Sequence, residues 1–174
     1  LRDGALADYV DRMLPEEGRL SVRDESVLRL ARLCRFEEVH SRHVAALAVM
    51  LFDSAREIGL YRGPARMREL LHYAGLLHDI GIFISFTKHN VHSHYLIQNS
   101  EMLGFTQKEV SLMAALALFH RYGYSRKDKG SVTLTDDWLE YARYLSLFLS
   151  LAEGMDKSHR QAVVSAAFVR QDKE

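Results

Sequence analysis

Apolar residues recur every three to four positions along almost the whole chain, which is the pattern of amphipathic helices. The pattern predicts helices over about residues 3–15, 22–36, 37–58, 64–77, 89–100, 106–121, 135–153 and 158–168. Thr106 and Glu109 have capping-box spacing, and Gly59 stands where a helix commonly ends. No run shows the sustained two-residue alternation of a strand. We therefore expect an all-α fold, a bundle of seven to eight helices forming one domain over residues 1–174.

The composition is that of a soluble globular protein, with 48% hydrophobic and 26% charged residues. Basic and acidic residues number 23 each, so net charge gives no indication of a duplex nucleic acid partner. No stretch reaches the roughly 18 apolar residues of a membrane span. The single cysteine, Cys34, cannot form an intrachain disulfide, and its place in an apolar helical row predicts a core role. We therefore expect a cytoplasmic protein without a membrane partner.

The nine histidines are the unusual feature, because most lie at helical positions in the middle of the chain. His78 and Asp79 end an apolar helix, where both side chains can turn to one ion, and Gly81 relaxes the backbone after them. His40 precedes an apolar stripe upstream, and Asp156 follows the most apolar helix downstream. Imidazole and carboxylate together suit Mn²⁺, Fe²⁺, Zn²⁺ or Mg²⁺. The four residues therefore predict a divalent metal site with His78 and Asp79 as catalytic candidates; the alternative is a set of helix caps and core polar residues.

The order His, His-Asp, Asp resembles the motif of the HD superfamily of metal-dependent phosphohydrolases. This resemblance implies that His40, His78, Asp79 and Asp156 bind a metal and that the fold is of the HD-domain type. It also implies a second ion, bound by His92 and His120 with Asp79 as the bridge. The remaining histidines fall into two sets. His89 and His94 lie close enough in sequence to replace His92, and His43, His72 and His159 are interpreted as surface or packing residues.

Basic residues lie near these positions in the sequence and are candidates for binding a polyanion. Arginine in particular binds phosphate oxygens with two parallel hydrogen bonds. The alternative is a set of solvated side chains, above all in the loop that contains Arg126, Lys127 and Lys129. The candidate substrate-binding residues are Lys88, Arg121, Lys157 and Arg160.

Several longer motifs resemble one family within this superfamily, the exopolyphosphatase/guanosine pentaphosphate phosphatases. Residues 74–81 (AGLLHDIG), 89–100 (HNVHSHYLIQNS), 119–121 (FHR) and 152–159 (AEGMDKSH) are similar to family motifs in the same order. Residues 1–4 (LRDG) resemble the point at which the family's actin-like part ends. The resemblance implies a C-terminal domain of a longer protein, with the actin-like catalytic domain upstream of Leu1.

The sequence is compatible with two functions. The first is a phosphohydrolase that uses one or two divalent ions to cleave phosphoanhydride or phosphoester bonds of polyphosphate or a guanosine polyphosphate. The second is a non-catalytic module that binds polyphosphate and contributes to a homodimer, while hydrolysis occurs in the upstream domain. A purely structural helical domain would leave the ordered histidines and aspartates unexplained.

Overall fold

The computed structural model describes residues 20–125 and 130–171. Over these residues the chain forms six α-helices and one 3₁₀-helix, and no strand occurs among them, which confirms the all-α prediction. In chain order the helices are α1 (Val22–Leu33), α2 (Glu38–Glu57), α3 (Met67–Leu77), the 3₁₀-helix (Ile80–Phe83), α4 (His89–Gln98), α5 (Gln107–Phe119) and α6 (Asp136–Met155). The helix predicted over residues 3–15 lies outside the described residues.

Helix α3 is the centre of the bundle, because it contacts α1, α2, α5 and α6. Eight of its eleven residues are buried, which fits its short apolar sequence. A Cβ atom added to Gly75 would lie 2.7 Å from the Cα atom of Ala45, so glycine allows α2 and α3 to approach closely. The central position of α3 places the residues at its C-terminal end, His78 and Asp79, inside the protein.

The predicted helix ends are largely confirmed. Thr106 caps α5, and Glu109 completes the capping box. Gly59 follows α2 with a φ of +74°, a conformation that favours glycine. A second capping box, formed by Ser21 and Asp24, begins α1 and was not predicted.

The predicted helix over residues 158–168 is wrong, because that segment has no regular structure. Its backbone turns at His159 and Gln161, which have φ values of +54° and +50°. Beyond this turn, the segment lies against the bundle surface, where Val163, Ala166 and Phe168 pack on the core. The backbone N–H of Phe168 donates to the Ser54 hydroxyl of α2. Contacts with distant residues therefore override the local helical preference.

Cys34 lies in the core, as its place in an apolar row predicted. Burial raises the pKa of its thiol. Among the helices of the described ranges, none combines the length and the apolar character that crossing a bilayer requires.

Candidate metal centre

Three helices bring imidazoles and carboxylates together at the end of α3. His40 of α2, His78 and Asp79 after α3, and Glu153 of α6 form the first group, whose ligand atoms all lie within 4.8 Å of one another. Oε2 of Glu153 lies 3.1 Å from Nε2 of His40 and 3.2 Å from Nε2 of His78. Three of the four residues predicted for the first ion therefore converge, and Glu153 stands in the fourth place.

Asp156, the predicted fourth ligand, lies behind His40 instead. Its Oδ2 accepts a hydrogen bond from Nδ1 of His40 at 2.9 Å. The backbone and side-chain amides of Gln161 also donate to its carboxylate, which is fully buried. In this structure Asp156 therefore contacts a neighbouring imidazole, and Glu153, three residues earlier on α6, presents its carboxylate to the group.

A second group shares Asp79 with the first. Oδ1 of Asp79 lies 3.2 Å from Nε2 of His89 and 3.4 Å from Nε2 of His120. The other oxygen, Oδ2, is the one that faces His78, at 3.7 Å. Asp79 therefore directs one oxygen to each group, which is the arrangement that a bridging carboxylate requires.

Within the cluster on α4, His89 contributes to the second group in place of the predicted His92. His89, Ser93 and Ile97 are spaced four residues apart and form the buried face of α4. His92 is half-buried beside this face and belongs to neither group of candidate ligands among the described residues. The helical phase of α4, rather than the identity of the residue, decides which histidine reaches Asp79.

Gly81 fixes the rotation of α4 about its axis, and so determines which of its histidines faces Asp79. Its backbone N–H donates to the hydroxyl of Ser93 at 2.8 Å. A Cβ atom on Gly81 would lie 2.1 Å from the carbonyl oxygen of His89, so only glycine lets the 3₁₀-helix pack this closely on α4. The close approach holds the first turn of α4, and with it His89, beside Asp79.

Each of the four imidazoles is anchored through Nδ1 and presents Nε2 to the centre. When Nδ1–H donates to an acceptor, a neutral imidazole carries its lone pair on Nε2, the atom that binds a metal. The Nε2 atoms of His89 and His120 lie 3.4 Å apart, so their lone pairs point to one position, where a cation would bind both nitrogens. The acceptors are Asp156 for His40, Gly75 O for His78, Phe86 O for His89 and Ala117 O for His120.

Two buried atoms in the groups have no hydrogen-bond partner among the described residues, namely Nε2 of His40 and Oδ1 of Asp79. Both have close polar neighbours, but these contacts lack hydrogen-bond geometry. A buried polar atom without a partner costs about 1–3 kcal/mol. Both atoms face the centre. A divalent ion bound there would therefore interact with the atoms that have no hydrogen-bond partner in the protein. The donor set therefore fits a metal such as Zn²⁺, Mn²⁺ or Fe²⁺.

The two groups differ in their electrostatics. Burial lowers the pKa of His40, but the carboxylates of Glu153 and Asp156 outweigh it and raise the pKa to about 9. Burial and the nearby His78 lower the pKa of His120 to about 4. Burial opposes ionisation of Asp79, but the imidazoles around it hold the pKa of its carboxyl at about 2. The centre therefore keeps its shared carboxylate charged.

A cavity of about 470 Å³ opens over Asp79, Glu153 and both histidines of the second group. Of the basic residues predicted from sequence to bind substrate, Arg121 and Lys157 line it, whereas Lys88 and Arg160 are exposed and lie outside its lining. His159, interpreted from sequence as a surface or packing residue, also lines the cavity and stacks on His40 with ring centroids 3.9 Å apart. No local signal predicts this position, because it depends on the left-handed turn after α6. Arg126, Lys127 and Lys129 lie outside the described residues.

The fold and the centre together define an all-α domain with a buried His/Asp/Glu cluster that could bind a metal. Residues 22–174 match the family model described as Ppx/GppA phosphatase, domain III, and the chain therefore belongs to this family. This confirms the family resemblance that the sequence motifs indicated.

Curated relatives include two bacterial guanosine-5'-triphosphate,3'-diphosphate pyrophosphatases. The protein from Aeromonas hydrophila is 31% identical over 123 residues, which are 70% of this chain and 24% of the relative. The protein from Pseudoalteromonas translucida is 29% identical over 121 residues, which are 70% of this chain and 23% of the relative. The chain thus spans about a quarter of the length of these relatives.

Proposed function

We propose that this domain is a metal-dependent phosphohydrolase module that cleaves phosphoanhydride or phosphoester bonds of polyanionic substrates. The observation that carries the proposal is the position of Asp79, whose two carboxylate oxygens face two separate groups of imidazoles under one open cavity. Two-metal hydrolases of phosphates use such a shared carboxylate to hold both ions.

Under this proposal, one ion would be held by His40, His78, Glu153 and Asp79, and the other by His89, His120 and Asp79. Bound divalent ions would supply the positive charge that stabilises a phosphoryl group during its transfer to water. Asp156 keeps the His40 ring in the orientation that binding needs. Arg121 and Lys157 at the cavity bind the phosphate oxygens of the substrate.

The second candidate is a non-catalytic module that binds polyphosphate and contributes to a homodimer of the full-length protein. It is favoured by the length of the relatives, of which the chain spans about a quarter. Hydrolysis could then belong to the remaining part, while Arg121 and Lys157 extend the path of the polyanion. We place catalysis first, because binding alone explains neither the buried, unpaired atoms of His40 and Asp79 nor the shared carboxylate.

Hydrolysis of a simple phosphomonoester and a simple phosphodiester, measured with Mn²⁺ and with a chelator, distinguishes the two candidates. The catalytic proposal predicts metal-dependent turnover that falls by at least roughly a hundredfold in Asp79→Ala, since even one electrostatic contact in a transition state contributes about that much. Asp53→Ala is the matched control, because Asp53 is a surface carboxylate paired with Arg68. Its turnover should equal that of the wild type.

Binding of polyphosphate to the same variants completes the test. Arg121→Ala should weaken binding, and the loss should shrink at high salt because exposed charges are screened. If the wild-type protein shows no metal-dependent turnover, and Arg121→Ala but not Asp79→Ala weakens polyphosphate binding, the non-catalytic function is correct.

A further inference from the structure

A second cavity lies at the other end of α2 from the candidate metal centre. Its volume of about 660 Å³ is within the range of about 300–1,000 Å³ typical of small-molecule sites. Its walls come from the last turn of α2, the loop after it and the N-terminal half of α6. On α2, Arg56 follows His40 by sixteen residues, which is about 24 Å along a helix axis. The cavity is therefore a separate site.

An aromatic cluster builds one wall of this cavity. The ring of Tyr61 is only 4% exposed and lies 5.1 Å from the ring of Phe52 and 6.1 Å from that of Phe148. The ring of Tyr144 lies 6.2 Å from that of Tyr61 and is 45% exposed. The core thus holds Tyr61 in place, and Tyr144 offers an exposed ring that an apolar or planar group can contact.

The hydroxyl of Tyr61 is buried and has no hydrogen-bond partner among the described residues. Burial raises the pKa of Tyr61 to about 12, so the hydroxyl keeps its proton at neutral pH. A Cβ atom on Gly63 would lie 2.2 Å from the hydroxyl oxygen, so glycine allows the loop to pass this closely. A buried donor without an acceptor costs free energy, which an oxygen atom of a ligand would offset. Tyr61 therefore provides a donor in the wall of the cavity.

Two arginines place positive charge on the same side. Nη1 of Arg56 donates to the carbonyl oxygen of Gly63 at 2.8 Å, which holds the guanidinium beside the loop. Arg62 belongs to the loop itself and is exposed. A guanidinium group binds a carboxylate with two parallel hydrogen bonds. Together with the Tyr61 hydroxyl, the arginines form a set of donors for one oxyanion.

The α6 side of the cavity carries the opposite charge. Glu140 lies four residues before Tyr144, so its carboxylate and the exposed ring share one face of α6. A carboxylate in the lining repels a polyanion and attracts an ammonium group. A ligand with one negative and one positive group, and an apolar part between the rings, therefore fits both sides.

We infer that this cavity binds a small zwitterion of the amino acid class, with one carboxylate, one ammonium group and an apolar or aromatic side chain. The carboxylate of the ligand lies at Arg62 and Tyr61, the ammonium group lies at Glu140, and the side chain contacts Tyr144. The binding involves neither the metal centre nor the proposed hydrolysis.

Three probes that differ by one charged group test the inference: L-phenylalanine, 3-phenylpropionate, which lacks the ammonium group, and phenethylamine, which lacks the carboxylate. Each is titrated calorimetrically into the protein, once with Mn²⁺ and once with a chelator. L-Phenylalanine should bind with a Kd of about 1 mM or tighter, the range in which sites respond to metabolites. The other two should bind at least about fivefold more weakly, since each lacks one charge-assisted hydrogen bond. The metal should change none of these affinities.

Tyr61→Phe distinguishes contact with the ligand from a structural role. The variant should bind L-phenylalanine about 5- to 10-fold more weakly, the effect of one lost hydrogen bond. Its Tm should not fall, because the hydroxyl has no partner to lose in the free protein.

Two charge variants assign the ends of the ligand. Arg62→Gln should weaken both carboxylate probes by about 5- to 10-fold. Glu140→Gln should instead remove the preference for L-phenylalanine over 3-phenylpropionate. Arg32→Gln is the matched control, because Arg32 is an exposed arginine of α1 that lines a different cavity, and it should change no affinity.

Three results would overturn the inference. They are the absence of saturable binding of L-phenylalanine, equal affinity of the wild type for L-phenylalanine and 3-phenylpropionate, and unchanged binding in both Tyr61→Phe and Arg62→Gln. Because no measurement depends on phosphate turnover, the failure of this inference leaves the proposed function untouched, and the reverse is also true.

Discussion

The two groups that share Asp79 differ in their balance of imidazole and carboxylate. The first group pairs His40 and His78 with Glu153 and one oxygen of Asp79, and a further carboxylate, Asp156, lies behind His40. The second group has His89 and His120 but only the other oxygen of Asp79. The negative charge of the centre is therefore concentrated on one side.

We infer from this difference that the two halves of the proposed centre would have different tasks. The carboxylate-rich first group offers more charge to a divalent ion, so it should bind the ion more tightly. The second group contacts an exposed residue of the cavity lining, since the ring of Phe86 lies 5.5 Å from that of His89. We expect its ion to bind more weakly and to be the one that meets the substrate first.

Removing the carboxylate of Glu153 should have the largest effect on this asymmetry. We expect Glu153→Gln to lower the affinity of the first ion by more than roughly 100-fold, the upper end for loss of an outer partner of a metal ligand. Asp156→Asn should lower it by about 10- to 100-fold, because His40 stays in place but loses its anionic acceptor. Calorimetric Mn²⁺ titration measures both, and a larger loss for Asp156→Asn would restore Asp156 as the direct ligand.

A substitution in α4 should disrupt the second group most selectively, because His89 lies on this helix. His89→Ala should weaken the second ion by about 10-fold or more while the first ion is retained, since one of three ligand side chains is lost. His92→Ala is the matched control, as it removes an imidazole from the same helix without touching either group. If a Mn²⁺ titration shows that His92→Ala loses the second ion and His89→Ala keeps it, the phase assigned to α4 is wrong.

The two groups should also differ in their pH dependence. Because the pKa of His40 in the metal-free protein is raised to about 9, this imidazole is protonated at pH 7 and must lose its proton to bind an ion. His120, with a pKa lowered to about 4, is already neutral at pH 7 and releases no proton. Affinity of the first ion should therefore rise by at least about tenfold for each pH unit between 6 and 8.

Calorimetry in two buffers of different ionisation enthalpy measures the number of protons released when the first ion binds. A release of at least about one proton at pH 7 is expected, from His40 and from His78, where burial lowers the pKa but the nearby carboxylates of Asp79 and Glu153 outweigh it and raise the pKa. A value near zero, together with an affinity that does not change between pH 6 and 8, would contradict the charge assigned to His40.

Local sequence predicted those parts of the fold that local chemistry decides. The apolar stripe of α3, the capping box of Thr106 and Glu109, and the glycine after α2 each depend on neighbouring residues, and each occurs as predicted. The prediction of a helix over residues 158–168 failed because the conformation of this segment depends on contacts such as that of Phe168 with Ser54, which is distant in sequence.

In the candidate metal centre, too, the features set by neighbouring residues could be predicted, and those set by the packing of distant segments could not. The pair His78 and Asp79 could be found because it ends a central apolar helix. The choice between Glu153 and Asp156 depends on the rotation of α6 about its axis, and packing against α2 and α5 sets that rotation. The acidic Glu153 in an otherwise apolar stretch, Leu151 to Gly154, was the available signal.

Counting the ions bound at saturation tests the central claim, that Asp79 joins two metal sites. The purified protein is equilibrated with Mn²⁺, and bound metal is measured by mass spectrometry against protein concentration. We predict two equivalents for the wild type, one for His120→Ala, which keeps the first group intact, and fewer than one for Asp79→Ala. A wild type that binds no ion, or a His120→Ala variant that still binds two, would contradict the claim.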